Sequence, residues 1–381
     1  MPSSSDLEGI PVMDKLRNRA EIQKLTALLG LDEGGADLAF LHALPAADVR
    51  QLREQSVAAL FDGQPDLLDR IASATKLVPA GVAATISLKA LGPRLAAAVA
   101  GRLEPHRAAA IIEKLPVPFV AESCPHLDPR RIPGIVDSLD EGMVVRIAVA
   151  LAERGDHLTM GRFVGDLRDS ALERILPQIP DPLVLRTGAV VDRPERLGRI
   201  IELMGDERLA RVVASASGSG RWPEALAIAG MVTGEQRTRI AQLAAGLPQE
   251  QLDSLVRATA AQDLWESLLP LVALLDAQER QAVAALPSLR SAEVLGQVVR
   301  GVVATGLWGE FLPLVEVLPE ESRKVVADSA GALEDAELDA LARAVGEQDL
   351  WELVLPLVEL MDEGAKERIF ALPAFKEQSA G

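Results

Sequence analysis

Few residues in this chain are suited to chemistry at neutral pH. There are four histidines, His42, His106, His126 and His157, and one cysteine, Cys124. Cys124-Pro125-His126 offers a thiol and an imidazole within three residues, but the paired ligand spacings of zinc sites do not occur. A metal centre would need His106 or His157 to be brought in by the fold, and none is expected. His157 follows Asp156, a candidate helix cap, and is expected to pack in a first turn or face solvent. The run Ala214-Ser215-Ala216-Ser217-Gly218-Ser219-Gly220 has serines where a Gly-x-Ser-x-Gly elbow needs glycines, and it reads as a flexible turn. No phosphate-binding glycine loop or dinucleotide fingerprint is present. The expectation is a protein that is not an enzyme and carries no cofactor.

The residues that recur with regular spacing are of a different kind. Trp222, Trp265, Trp308 and Trp351 are the only tryptophans, each 43 residues from the next. Leu264, Leu307 and Leu350 precede the last three rings, and Leu269-Pro270-Leu271 recurs as Leu312-Pro313-Leu314 and Leu355-Pro356-Leu357. The copy at Trp222 is looser, with Ala227 in place of the proline. Leu209, Leu252, Leu295 and Leu338 mark a matching position ahead of each ring, and a cation recurs as Arg237, Arg280, Arg323 and Lys366. A 43-residue period falls in the range of stacked helical repeats of the HEAT and armadillo kind. The tryptophans and the recurring cations are the candidate partner-binding residues. The tryptophans read first as inter-repeat core and second as a ladder along a groove. The cations read first as a solvated face.

Each 43-residue unit reads as three short helices. One runs from about Pro248 to Ala261, a second opens at Asp263 and a third at Asp276. Asp263 with Glu266, Asp349 with Glu352 and Asp276 with Glu279 all have capping-box spacing. Asp128, Asp140, Asp156 and Asp192 are further candidate caps, where a carboxylate meets free N–H groups and the positive end of the dipole. Pro270, Pro313 and Pro356 either kink a helix or start one. The tryptophan helix is apolar over most of its circumference and should lie between neighbours.

Ahead of the repeats, Val12 to Leu29 reads as an amphipathic helix, made locally basic by Lys15, Arg17, Arg19 and Lys24. It is expected to cap the array, with a peripheral membrane anchor as the rival reading. Gly30 to Gly35 reads as a turn. Residues 77–103 are rich in small apolar side chains, so tight packing is expected there. The alternative is the wall of an apolar cavity, with Val82, Ile86, Leu88, Leu91 and Val99 as candidates. From Leu103-Glu104-Pro105-His106-Arg107-Ala108-Ala109-Ala110 through Leu127-Asp128-Pro129, the sequence resembles the Leu-x-Pro-x-x-Ala-Ala repeats in the cytoplasmic helical domain of MgtE-type magnesium channels. The resemblance covers about residues 100–180 and implies a superhelix of short helices. It also suggests a cation-responsive regulatory module as a third option. No segment reads as a transmembrane helix, so the channel function does not carry over.

Composition agrees with an all-α chain: 49% of 381 residues are apolar, aromatics are 3% and tyrosine is absent. The net charge of −17 argues against nucleic acid as a partner. One cysteine allows no internal disulfide, and the N-terminus lacks the regions of a secretory signal, so a cytoplasmic location is expected. The expected fold is a right-handed α-solenoid with five segments: a tail at 1–11, helices at 12–103, degenerate repeats at 104–218, four repeats at 219–376 and a tail at 377–381. The expected function is a scaffold that holds a protein or peptide on a concave face. A carrier for an apolar small molecule is the alternative, suggested by the positive mean hydropathy and the small-residue segment.

Overall fold

The computed structural model describes residues 12–31, 36–62 and 65–373. Both expected tails and most of the Gly30 to Gly35 turn lie outside the described residues. Among those residues every regular element is helical and there is no strand. The chain divides into two compact units, one built on Asp14–Arg208 and one on the residues from Leu209 onward.

The first unit contains nearly all of α1 (Val12–Leu29), then α2 (Ala46–Asp62), α3 (Pro65–Lys76), α4 (Ala80–Ile86), α5 (Gly92–Ala100), α6 (Pro105–Ile112) and α7 (Val117–Ser123). It continues with α8 (Ile132–Ser138), α9 (Glu141–Glu153), α10 (His157–Phe163), α11 (Asp169–Ile175), α12 (Asp181–Ala189) and α13 (Leu197–Leu203). Most of these helices have only two or three turns, too short to be stable alone, so packing must hold them. The contacts form rows of next-but-one helices. One row runs α3, α5, α7, α9, α11, α13, another runs α4, α6, α8, and α10 packs on α12. Asp140 and Asp156 cap α9 and α10 by accepting from Met143 N and Thr159 N, as the sequence suggests. Asp128 accepts from Arg130 N at the start of a 3₁₀ turn. Asp192 caps nothing and sits instead in a buried charge cluster.

Arginines fasten the far ends of these helices. Arg162 donates to the carbonyls of Pro125 (3.0 Å) and Leu127 (2.8 Å), and Arg168 donates to Asp137 O (2.8 Å). Arg107 reaches Val78 O, Arg196 reaches Leu167 O and Arg208 reaches Ile179 O, each across 29 residues. A guanidinium is well placed there, because the last carbonyls of a helix lack partners and carry the negative end of the dipole.

The second unit repeats itself by position. One set of helices is α14 (Asp206–Ser219), α17 (Gln249–Gln262), α20 (Ala292–Thr305) and α23 (Asp335–Glu347). The tryptophan helices are α15 (Trp222–Met231), α18 (Trp265–Val272), α21 (Trp308–Glu316) and α24 (Trp351–Leu360). The last set is α16 (Gly234–Ala245), α19 (Ala277–Ala284), α22 (Glu320–Gly331) and α25 (Glu363–Ala371). Within every set the first residues are 43 apart: 206, 249, 292, 335; 222, 265, 308, 351; and 234, 277, 320, 363. Equivalent helices touch, α15 on α18, α18 on α21 and α21 on α24, and likewise α16 on α19 and α17 on α20. Pro270, Pro313 and Pro356 lie inside their helices, so they start nothing.

Two local expectations are corrected here. Ala214 to Ser219 is the last part of α14, not a flexible turn; only Gly220 leaves the helix. Asp263 and Asp349 are not N-caps. They stand in the left-handed region at φ 52° and 54°, and Gly220 and Gly306 occupy the same register at 66° and 72°. In three of the four the next residue donates back to close the helix, Arg221 N to Ala216 O, Leu264 N to Thr259 O and Leu350 N to Val345 O, while at α20 Gly306 N itself donates to Val302 O. Those are C-terminal closures of the Schellman type, where glycine is preferred and aspartate is tolerated. The Asp276–Glu279 capping box forms as read.

Candidate interaction surface

The tryptophans are placed inside. Trp222, Trp265 and Trp308 are 2%, 3% and 6% exposed, and Trp351 is half-buried against the last apolar cluster. A Cβ added at Gly301 on α20 would stand 2.9 Å from the Trp265 ring, so the helix backbone lies directly against the indole. Ala258 and Ala344 hold the matching positions, so this close approach of backbone to ring is particular to Gly301. Trp222 Nε1 donates to Ser254 Oγ (2.8 Å), whereas the buried Trp265 Nε1 has no partner among the described residues. These rings present no ladder to a ligand.

Two of the four recurring cations, Arg237 and Arg280, correct the sequence reading. Arg237 donates to the Ala229 and Gly230 carbonyls, and Arg280 donates to Leu275 O (3.0 Å). Arg323 is half-buried, and Lys366 pairs with Glu363 at 2.8 Å. Neither Arg237 nor Arg280 lies on a solvated face. They fasten the preceding tryptophan helix, for the reason given above.

A different ladder is exposed. Arg257, Arg300 and Arg343 project from α17, α20 and α23 and are again 43 residues apart. Arg257 pairs with Asp253 at 3.3 Å and Arg343 with Asp339 at 2.6 Å, each one helical turn earlier. Gly296 replaces the acid near Arg300. The guanidinium groups are exposed while their acids are largely covered, so the outward-facing N–H groups remain open to an incoming carboxylate. The 43-residue offset joins these three arginines as well as it joins Arg237, Arg280, Arg323 and Lys366. Only burial separates the two sets.

In the first unit four charges are gathered away from water. Lys24 Nζ donates to Glu21 Oε1 (2.8 Å) and Asp192 Oδ1 (2.7 Å). Arg53 Nε donates to Glu21 Oε2 (2.7 Å), and its Nη2 lies 3.3 Å from Asp192 Oδ1. Burial would raise the Asp192 carboxyl, but the charges of Lys24 and Arg53 outweigh it and hold the group below its ordinary value. The cluster is neutral and ties α1 to α2 and to the turn after α12. The α1 residues Leu16, Ile22 and Leu25 are buried too, so the apolar face of α1 is not available as a membrane anchor.

A cavity of about 60 Å³ lies among α5, α6 and α7, lined by Ala96, Ala97, Val99, Ile111, Val120 and Cys124 among others. Of the five wall candidates only Val99 lines it. Val82, Ile86 and Leu88 are exposed and Leu91 is half-buried. Burial pushes the Cys124 thiol up to about 12, which leaves it unreactive at neutral pH. Burial also lowers His126, helped by Arg94 and Arg162. Among the described residues no three His, Cys, Asp or Glu side chains gather as metal ligands. No protein-family model matches this chain, and no curated protein matches it either.

Proposed function

We propose that this chain is a non-enzymatic helical-repeat scaffold, a right-handed α-solenoid of 43-residue units that binds a protein or peptide partner. The observation that carries the reading is the exposed arginine ladder Arg257, Arg300 and Arg343 on three equivalent helices. A stacked array repeats one helix face at a nearly constant step of about 8–10 Å, the usual distance between packed helices. Equal cations at equal steps match a partner that carries acidic residues along an extended segment or one helix face. The test is affinity capture from native cytoplasm with the full chain and with an Arg257→Glu, Arg300→Glu, Arg343→Glu variant. A protein retained by the first and released by the second supports the reading. Identical retention by both removes the ladder as the binding surface.

The cavity beside Cys124 favours a second reading, a carrier for an apolar small molecule. At about 60 Å³ it is well below the roughly 150 Å³ void that accommodates benzene. An acyl or isoprenoid chain would require α5 and α6 to separate. Native mass spectrometry of freshly purified protein distinguishes the two: a bound apolar species supports the carrier, and clean apoprotein removes it.

A further inference from the structure

Residues 70–103 contain Arg70, Lys76, Lys89, Arg94 and Arg102 and no Asp or Glu. That is a run of 34 residues with net charge +5 in a chain of net charge −17. Elsewhere acid-free stretches are at most half as long, the longest being 208–223 and 294–309. The same segment reverses the usual order of burial. Ala83, Ala84, Ala96 and Ala97 face inward, against neighbours that include α6 and α7, while Leu77 is 87% exposed and Val82, Ile86 and Leu88 are nearly half exposed. Small side chains are spent on the core and large apolar ones are shown to water, the opposite of what stability alone selects. Among the described residues, ten of the thirteen exposed large hydrophobic side chains fall between Leu29 and Leu88.

We propose that α4 and the π-helical turn after it (Ser87–Leu91) dock the protein onto an anionic lipid surface. Val82, Ile86 and Leu88 would enter the headgroup boundary, with Lys89 and Arg94 held at its charged level. Both cations are exposed, and neither forms an ion pair among the described residues. An apolar face bordered by cations with no acid is the pattern that lies in the interface of a negatively charged bilayer. Of the cations in the run, Arg102 pairs with Asp69 at 3.5 Å, so Lys89 and Arg94 carry the charge offered to the lipid. A second copy of the chain is the poorer occupant, because a symmetric contact through this face would bring two cationic patches together with no acid of the same segment to pair them.

Ala80–Ala100 is also the one described helical stretch long and apolar enough to cross a bilayer. Lying flat is favoured over crossing. Gly92 takes a left-handed φ of 70° and Pro93 follows it, which breaks the rod near its middle. The inward alanine face is already covered by α6 and α7.

The test is co-sedimentation of the full chain with phosphatidylcholine vesicles, with and without about one-third phosphatidylglycerol, at low salt. The chain should pellet with the anionic vesicles and stay in solution with the neutral ones. A Lys89→Glu, Arg94→Glu variant should lose affinity by at least roughly tenfold, with the difference shrinking as salt rises. An Ile86→Ser, Leu88→Ser variant should lose affinity at every salt concentration. These side chains are exposed, so circular dichroism and the melting midpoint should match the parent chain. Failure to pellet with anionic vesicles, or equal pelleting by both variants, overturns the proposal. So does a light-scattering dimer that the Ile86→Ser, Leu88→Ser variant dissolves, which would make the face an interface between copies. The arginine-ladder variant should leave vesicle binding unchanged, so this proposal and the scaffold reading fail separately.

Discussion

The two units reach similar helical structure by different fastenings. In the second, one pattern of leucine, valine and tryptophan recurs every 43 residues, and each helix meets its own equivalent in the next copy. Guanidinium groups on carbonyl ends occur in both units, Arg162 in the first and Arg237 and Arg280 in the second, but the first adds the buried neutral cluster of Glu21, Lys24, Arg53 and Asp192. Apolar packing has no preferred direction, so copying a unit copies its interface. Hydrogen-bonded charges demand particular partners, and a degenerate repeat can keep its shape only where those partners persist.

The largest effect should come from the repeating unit. Trp265→Ala removes a fully buried indole that faces the α20 backbone, and should cost about 3–5 kcal/mol. Because repeats are coupled to nearest neighbours, hydrogen exchange should rise most between residues 222 and 331. An even rise across the second unit would show that its repeats do not act as separate modules.

Asp192→Asn should cost somewhat less, about 3 kcal/mol, by leaving Lys24 and Arg53 buried with one carboxylate. The same cluster sets a pH dependence. The folded Asp192 pKa lies below its ordinary 3.8, so its stabilisation is complete above that value and is lost as pH falls through the folded pKa. Amide protection in α1 and α2 should therefore fall in acid more steeply in the parent than in Asp192→Asn. Parallel loss in both would remove the cluster as the cause.

The smallest effects test the shared helix closure. Gly306→Ala should destabilise by about 1 kcal/mol because alanine resists the left-handed region, while Asp263→Gly should be neutral or slightly stabilising. Chemical denaturation midpoints measure both. A stabilising Gly306→Ala would mean that the positions are not equivalent.

Much of the second unit was legible from the chain. The 43-residue spacing located the tryptophan helices, and Asp276 with Glu279 located a true capping box. Asp263 and Asp349 were misread because an acid before a helix and an acid closing the preceding one look the same in one dimension. Gly220 and Gly306 at the same register carried the correct meaning. The exposed ladder Arg257, Arg300 and Arg343 is equally periodic, but periodicity alone does not report which face meets water. In the first unit nothing near Lys24 in sequence points to its burial, because its partner Asp192 lies 168 residues away.

The order of residues by itself determined that the described chain is helical and that its helices in the second half begin at a 43-residue spacing, because local propensity and hydrophobic spacing are properties of neighbours along the chain. Only the tertiary structure decided which of two arginine ladders is exposed, that Lys24 is buried, and that alanines rather than leucines face inward between Ala80 and Ala100. Those outcomes depend on which surfaces are covered by elements distant in sequence, and burial sets the energy of a charge or an apolar group far more than its identity does.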